Sequence, residues 1–597
     1  MDTLKFLLFD VHNINELKEY ARFAEYDEDT INILLDSAKS WADQDYYPYY
    51  REMDEKPAYY KDGKVHSHPI LKKIFSHAGE NGWLGTYFDH EDGGMQMPHI
   101  LANATNHIFE SANNHIPGYI GLTNGAAHLI ATFGTQELKK TFIPPMLAGK
   151  WGGTMALTEP QSGSSLSDIV TSASPTEQEH YLVKGQKIFI SGGDHEAVDN
   201  FVHLTLVRID GAPSGTKGIS LMVVPKYRID SDGNMVDNHV HAVADFQKMG
   251  QRGYSTVHLV YGEQNECHGY LVGKPHKGLK YMFQMMNGAR IDVGMTAAST
   301  ATAAYYTSLQ YAKERPQGKR LMNSDKTDTS EGQTLIINHP DVRRMLLLQK
   351  AIVEGALSLL IECSKHSDIA HCDVGEKKEN HHLLLELLTP VAKTYPSELG
   401  RIAINNGLQV LGGYGYCMDF PLQQYLRDIR IRAIYEGTTG IQSLDLLGRK
   451  IPMNNGKALQ LLTEMMNDTI LECKKHQSLS SYAVVLESKI NEIQKVLSYL
   501  MSYAMKGDNE NYLADATIFM EMAANTIIGY QWLKMGLAAQ IALDKGDNTY
   551  EKEFYDAKLH TMKFYFKYEL PKTIACMETI MHGDKLTLVD ENKELIF

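Results

Sequence analysis

Apolar positions in the first 150 residues recur every three to four places, the spacing of one helical face. Asp27-Glu28-Asp29-Thr30 gives a capped start to a helix predicted over 31–47, and 124–133 and 136–148 continue the rhythm. Between about 151 and 274 the period falls toward two. Residues 181–193 read as two strands around a tight turn, and 201–208, 218–224 and 256–261 as further short strands. Helix returns over 278–313, then over 341–364 and 383–410, with the polar stretch 320–333 read as an exposed loop insertion. Pro452-Met453-Asn454-Asn455-Gly456 makes a linker, followed by amphipathic helices over 459–476, 482–506, 513–545 and 550–568. The predicted organisation is an α+β chain: a helical domain over 1–150, a β domain over 151–277, a helical bundle over 278–450 and a further helical domain over 451–597.

Composition narrows the possible partners. A net charge of −15 over 597 residues disfavours nucleic acid and anionic membrane, which need basic patches. No apolar run is long enough to span a bilayer, and the N-terminus lacks the pattern of a secretory signal. Six scattered cysteines form no C-x-x-C pair, which fits free thiols in a reducing, cytoplasmic setting. Cys363, His366, His371, Cys372, His381 and His382 cluster, but their spacing fits no zinc motif, so no metal site is expected.

Four segments offer chemistry. Tyr435-Glu436-Gly437-Thr438 sets a carboxylate beside a glycine turn, with Thr438 placed to cap the next helix. Glu436 there is either a solvated residue at a helix start or a partly buried general base. Thr158-Glu159-Pro160-Gln161-Ser162-Gly163-Ser164-Ser165 is either a surface turn or a backbone that approaches an anion. Phe189 precedes Ser191 at a strand end, as a core residue or as the wall of a ligand site. Leu411-Gly412-Gly413-Tyr414-Gly415-Tyr416 supplies glycines without the strand-turn-helix setting of a dinucleotide fingerprint.

In this order, and with Arg427-Asp428, these motifs resemble the acyl-CoA dehydrogenase family of flavoenzymes over about residues 60–450. The resemblance implies that family's fold: an N-terminal helical domain, a central β-barrel-like domain and a C-terminal four-helix bundle, here with an extra C-terminal helical domain. That extension and the 320–333 insertion look like the larger bacterial subgroup, which includes the 3-methylmercaptopropionyl-CoA dehydrogenases. The resemblance further implies FAD as cofactor, an acyl-CoA substrate desaturated between its α and β carbons, and electron-transferring flavoprotein as electron acceptor.

Carried over residue by residue, Glu436 matches the base that removes the α-proton while the β-hydrogen passes to the flavin. Relatives that hold the base one position before an arginine on an earlier helix are not matched, since Ala289 precedes Arg290. Leu157, Thr158, Gly163 and Ser164 match contacts to the flavin ring and phosphates. Phe189 and Ser191 stand where the family usually has Trp and Thr. Arg315, Gln409 and Gly413 match residues that hold the adenosine diphosphate end across a subunit boundary, which implies a homodimer or a dimer of dimers. Thr438 matches a pyrophosphate contact. Ser164 and Arg290 are the expected substrate contacts near the thioester, with Asn287 where relatives carry Asp and the Met-rich run 282–286 as core or acyl-chain wall.

Two rivals stay open. An acyl-CoA oxidase would share the base but pass electrons to oxygen, and its usual peroxisomal Ser-Lys-Leu ending is not matched by Glu594-Leu595-Ile596-Phe597. A DNA-associated or purely structural homologue that retains flavin without turnover would want a basic groove, which the charge disfavours.

Overall fold

The computed structural model describes residues 1–320 and 332–588, and the backbone alone over 283–287. Most of the insertion expected at 320–333, the last four residues and the side chains of Met285, Met286 and Asn287 lie outside the described residues. Packing divides the chain into two units, Glu25–Ala289 and Met1–Ala24 with Arg290–Phe597. Among the described residues no helix is long and apolar enough to cross a membrane.

The first unit opens with α1 (Glu28–Trp41), where the Asp27 carboxylate accepts from Thr30 N–H at 2.8 Å as the sequence predicts. Ile31, Leu35, Ala38 and Trp41 form its buried stripe. Next come α2 (Ile70–Glu80), α3 (His99–Ala112), α4 (Pro117–Phe133) and α5 (Gln136–Leu147). An eight-stranded sheet follows: β1 (Trp151–Ala156), β2 (Ser172–Pro175), β3 (Tyr181–Ser191), β4 (Asn200–Ile209), β5 (Ile219–Pro225), β6 (Val240–Asp245), β7 (Thr256–Tyr261) and β8 (His268–Leu271). Its order is β6-β7-β3-β8-β5-β4-β1, and β2 pairs with both β3 and β4, giving a barrel-like curl. β1 runs parallel to β4, with Trp151 opposite Asn200. β5 is buried along its whole length and packs with α4 and α5 in one apolar core. Met282, at the head of the Met-rich run, lies in that core.

The expected turn within 181–193 is one continuous strand instead. Gly185 sits against Thr171, whose Oγ1 would lie 2.5 Å from a Cβ there, so this glycine serves close packing rather than a turn.

The second unit contains the part of α6 (Gly278–Glu314) from Arg290 onward, then α7 (Pro340–Cys372), α8 (Gly375–Leu411), α9 (Leu422–Ile429) and α10 (Thr439–Asp445). It continues with α11 (Lys457–Lys474), α12 (Ser480–Ala504), α13 (Ala516–Lys545), α14 (Lys552–Tyr568) and α15 (Lys572–Met581). α13 is buried on most sides, and its Trp532 Nε1 donates to the Ala351 carbonyl of α7 at 2.8 Å. Polar groups also join these helices. Glu354 of α7 meets Lys350 and Lys558, and Glu362 meets Lys534 of α13 at 2.7 Å. Residues 1–24 belong here by packing, with His12 Nε2 and Ser358 Oγ sharing a 2.9 Å hydrogen bond.

α8 stays helical through Pro390 and Pro396. A proline has no N–H, so the Ala392 carbonyl loses its partner at Pro396. α6 packs tightly against that oxygen: a Cβ on Gly294 would stand 2.1 Å from it.

Candidate active site

After α9 the chain makes a short 3₁₀ turn over Arg430–Ala433 and then bends before α10. At the bend Glu436 has φ +52° and Gly437 φ +88°. A left-handed glutamate costs on the order of 1 kcal/mol, so the surroundings must hold it. Lys393 Nζ of α8 donates to the Gly437 carbonyl at 2.8 Å, and Gln442 Nε2 donates to the Glu436 carbonyl at 3.0 Å. Thr438 Oγ1 caps α10 by accepting from Ile441 N–H at 3.3 Å, and Thr439 Oγ1 donates to Glu398 Oε1 at 2.6 Å. A Cβ at 437 would meet Gln442 Nε2 at 2.6 Å, so a larger residue would be strained at this φ and would displace the amide that holds the Glu436 carbonyl.

The turn therefore fixes a carboxylate with nothing to bind. Among the described residues neither the Glu436 carboxylate nor its own N–H has a hydrogen-bond partner. Burial pushes the Glu436 pKa up, while Arg290 and Lys393 pull it back. Lys393 is itself fully buried, and desolvation lowers its ammonium to about 8 against the pull of Glu436.

Arg290 is 4 % exposed and donates through Nη1 to Asp445 Oδ2 at 2.8 Å. Its Nε is buried with no partner among the described residues. Asp445 also accepts from Arg449 Nε at 2.6 Å. Half-buried Asp292, two places after Arg290, is pushed up to about 7 by burial alone.

The β unit gathers a second group. Ile188 N–H donates to the Thr158 carbonyl at 2.9 Å, which sets Leu157 and Thr158 beside Phe189 and Ser191 on β3. Below that surface Lys187 Nζ and Glu159 Oε1 form a fully buried pair at 2.7 Å, and the same ammonium donates to the Leu157 carbonyl at 3.0 Å. Burial alone would raise the Glu159 pKa, but Lys187 and the Thr171 and Val170 N–H groups outweigh it and hold the carboxyl below its usual range. Burial lowers Lys187 to about 8. The pair clamps a loop whose outer face is open: Gly163 and Ser164 are exposed, and a Cβ at 163 would touch nothing within 4 Å. Phe189 is 56 % exposed with φ +58°, its ring resting on Phe246 with centroids 4.5 Å apart. An apolar ring held outward in a strained backbone suits the face of a planar cofactor.

The third group is elsewhere. Gln409 and Gly413 lie at the far end of α8, and Phe420 packs against both Tyr414 and Tyr311, which places Arg315 near the same end. All three are exposed, and Gly412 and Gly413 would meet nothing within 4 Å with a Cβ. Gln409 stands about 24 Å along α8 from Lys393, at 1.5 Å per residue. Within one chain, then, Thr438 joins Glu436, but Arg315, Gln409 and Gly413 do not.

Comparison with known proteins assigns the family. Family models for the acyl-CoA dehydrogenase N-terminal, middle and C-terminal domains match residues 28–150, 154–263 and 276–451. A model described as acetyl-CoA dehydrogenase C-terminal like matches 462–589. The chain is 32% identical to 3-methylmercaptopropionyl-CoA dehydrogenase of Ruegeria pomeroyi, covering 94% of each. The chain belongs to the acyl-CoA dehydrogenase family. It is also 32% identical to the broad-specificity linear acyl-CoA dehydrogenase FadE5 of Mycobacterium tuberculosis, covering 96% of each. In fold it is similar to an acyl-CoA dehydrogenase of Bacillus anthracis solved with FAD, with a TM-score of 0.73 at 20% identity over 94% of this chain and 89% of that one. FAD is the cofactor of the acyl-CoA dehydrogenase family, and the open glycine backbone and outward Phe189 fit it.

Sequence reasoning missed Lys393, the Glu159–Lys187 pair and Asp445. A lysine inside the apolar run of α8 and another alternating with apolar residues on β3 were the available signals. It also passed over Asp237-x-His239-x-His241, whose ligand atoms lie within 4.8 Å of one another on a largely solvent-facing stretch. In the cluster that it did weigh, His366 and His381 share a 2.8 Å contact while Cys363 is a buried free thiol.

Proposed function

We propose that this protein is an FAD-dependent dehydrogenase that introduces a double bond between the α and β carbons of an acyl-CoA thioester, with Glu436 as the base. The observation that carries the reading is the state of Glu436: a half-buried carboxylate in a left-handed turn, unpaired, with its own N–H unpaired beside it. A thioester α-proton is weakly acidic, so its removal needs a positioned carboxylate and a donor to the thioester oxygen. One residue offers both, the carboxylate as proton acceptor and the N–H as donor. Arg290 and Lys393 favour the ionised carboxylate that must accept the proton, while burial raises its pKa toward that of a useful base.

The residues that would hold FAD are Leu157, Thr158, Gly163, Ser164, Phe189 and Ser191 of the β unit, with Thr438 at the start of α10 and Arg315, Gln409 and Gly413 at the far end of α8. When bound, FAD supplies the acceptor for the two electrons that leave the β carbon. The helix length separating Gln409 from Lys393 supports a homodimer, or a dimer of dimers, in which Arg315, Gln409 and Gly413 serve the partner's cofactor. Substrate contacts at the thioester end are assigned to Ser164 and Arg290. Arg290 is buried and held by Asp445, so it offers charge and its unpaired Nε–H rather than a mobile arm. Electron-transferring flavoprotein is the proposed acceptor.

The test is the visible spectrum of the anaerobic protein titrated with a panel of acyl-CoAs, including a methylthio-propionyl thioester and straight chains. Bleaching of the flavin band by one class names the substrate. Glu436→Gln should keep FAD and bind the thioester yet lose bleaching by orders of magnitude; near-normal bleaching would sink the assignment of the base. Rapid oxygen consumption during turnover would favour an oxidase instead.

A further inference from the structure

Lys393 lies in the middle of a 37-residue helix with none of its surface exposed. Burying an ammonium costs several kcal/mol, and a glutamine could satisfy the same carbonyl at far less cost. Its hydrogen bond goes to the neutral Gly437 carbonyl, one residue past Glu436, so no carboxylate bonded to it cancels its charge. Pro390 and Pro396 flank it on the same helix, and a Cβ on Gly294 of α6 would stand 2.1 Å from the neighbouring Ala392 carbonyl.

We propose that Lys393 is a positioning residue for Glu436, holding the left-handed turn through the Gly437 carbonyl and, by its charge, keeping the Glu436 carboxylate able to accept a proton. The inference rests on the reading of Glu436 as the base. The charged groups that face this pair divide as follows. From α6, Arg290 exerts the larger pull on Glu436 but is offset by Asp445 of α10. From α8, Glu398 is engaged by Thr439 and lies 3.6 Å from Arg401. From the 3₁₀ turn, Arg432 is bonded to the Tyr435 hydroxyl. Of the two cations that pull on Glu436, Arg290 is bonded to a carboxylate and Lys393 to a neutral carbonyl.

Three substitutions separate its two effects. Lys393→Arg keeps the charge, Lys393→Gln keeps a donor without charge, and Lys393→Met removes both. The first readout needs no turnover: carbodiimide labels protonated carboxyls, and peptide mass spectrometry follows labelling of Glu436 against pH. The midpoint should rise by about one pH unit in the Gln and Met variants and stay near wild type in the Arg variant. The second is the pH dependence of flavin reduction in a single turnover. Its low-pH fall should move up by the same amount, leaving about a tenfold loss below the midpoint, with FAD content unchanged.

Unchanged midpoints in Lys393→Gln and Lys393→Met overturn the proposal. So does a Gln variant that fails to fold while the Arg variant folds, since the lysine would then serve stability alone. Glu436→Gln keeps the two readings apart: if it still reduces flavin normally, the base assignment fails whatever Lys393 does. If it abolishes reduction and the lysine variants shift nothing, only the present inference fails.

Discussion

Arg290 Nη1 donates to Asp445 Oδ2 at 2.8 Å, joining a buried guanidinium on α6 to a carboxylate on α10, the helix that starts just beyond Glu436. The pair links the helix that carries a cation toward Glu436 to the helix that fixes the turn behind it. Asp445 offsets the charge of Arg290, so the pull of that guanidinium on Glu436 is set against the carboxylate bonded to it.

Asp445→Asn should therefore have two consequences. Leaving Arg290 buried without its carboxylate should cost about 3 kcal/mol of stability, read as a lower denaturation midpoint. The uncompensated cation should also lower the Glu436 pKa, moving the low-pH fall of flavin reduction to lower pH. That shift is opposite in sign to the one expected on neutralising Lys393, and an upward shift would refute it.

Lys187→Met should strand Glu159 beneath the open loop. We expect a loss of about 3 kcal/mol and release of FAD on gel filtration, because the clamp on Leu157 and Thr158 is gone. A stable variant with full flavin content would mean that the loop is held by its backbone alone.

Arg315→Ala removes an exposed guanidinium near the end of α8 that carries Gln409, the end away from Lys393. Weakened FAD retention, by about tenfold in dissociation constant, is expected from the loss of a charged hydrogen bond. Unimpaired retention would count against a cofactor shared between copies of the chain.

Asp292 gives a pH signature in stability. Its folded pKa of about 7 lies above the unfolded value near 3.9, so its favourable contribution is complete below about pH 4 and is lost as pH rises through about 7. Asp292→Asn should flatten that slope and raise stability at pH 8 by up to about 4 kcal/mol. Equal denaturant midpoints for the two proteins at pH 8 would show that the carboxyl is already solvated.

Much of this was legible in the sequence because it depends on local order. Asp27 caps α1 and Thr438 caps α10 as their spacing predicts, and the Glu436 turn announces itself through the glycine that follows. Helix ends were read less well. α8 runs from Gly375 where the apolar pattern starts only at 383, because its first turns are polar and exposed. Strands β2 and β8, of four residues each, are too short for an alternating pattern to stand out, and β1 is buried nearly throughout, which leaves no alternation to read. Lys393 and Asp445 were invisible for another reason: each matters through a residue more than 40 positions away, or on another helix, and no local pattern records that.

Gly294 and Pro396 carry no charge themselves, yet they mark where α6 packs against α8. A methyl at 294 would push Arg290 and Lys393 out of register with the turn they serve. In a mutational scan scored by turnover, both positions would sort with the base itself, and a map of such scores would draw the active site larger than the set of atoms that meet the substrate.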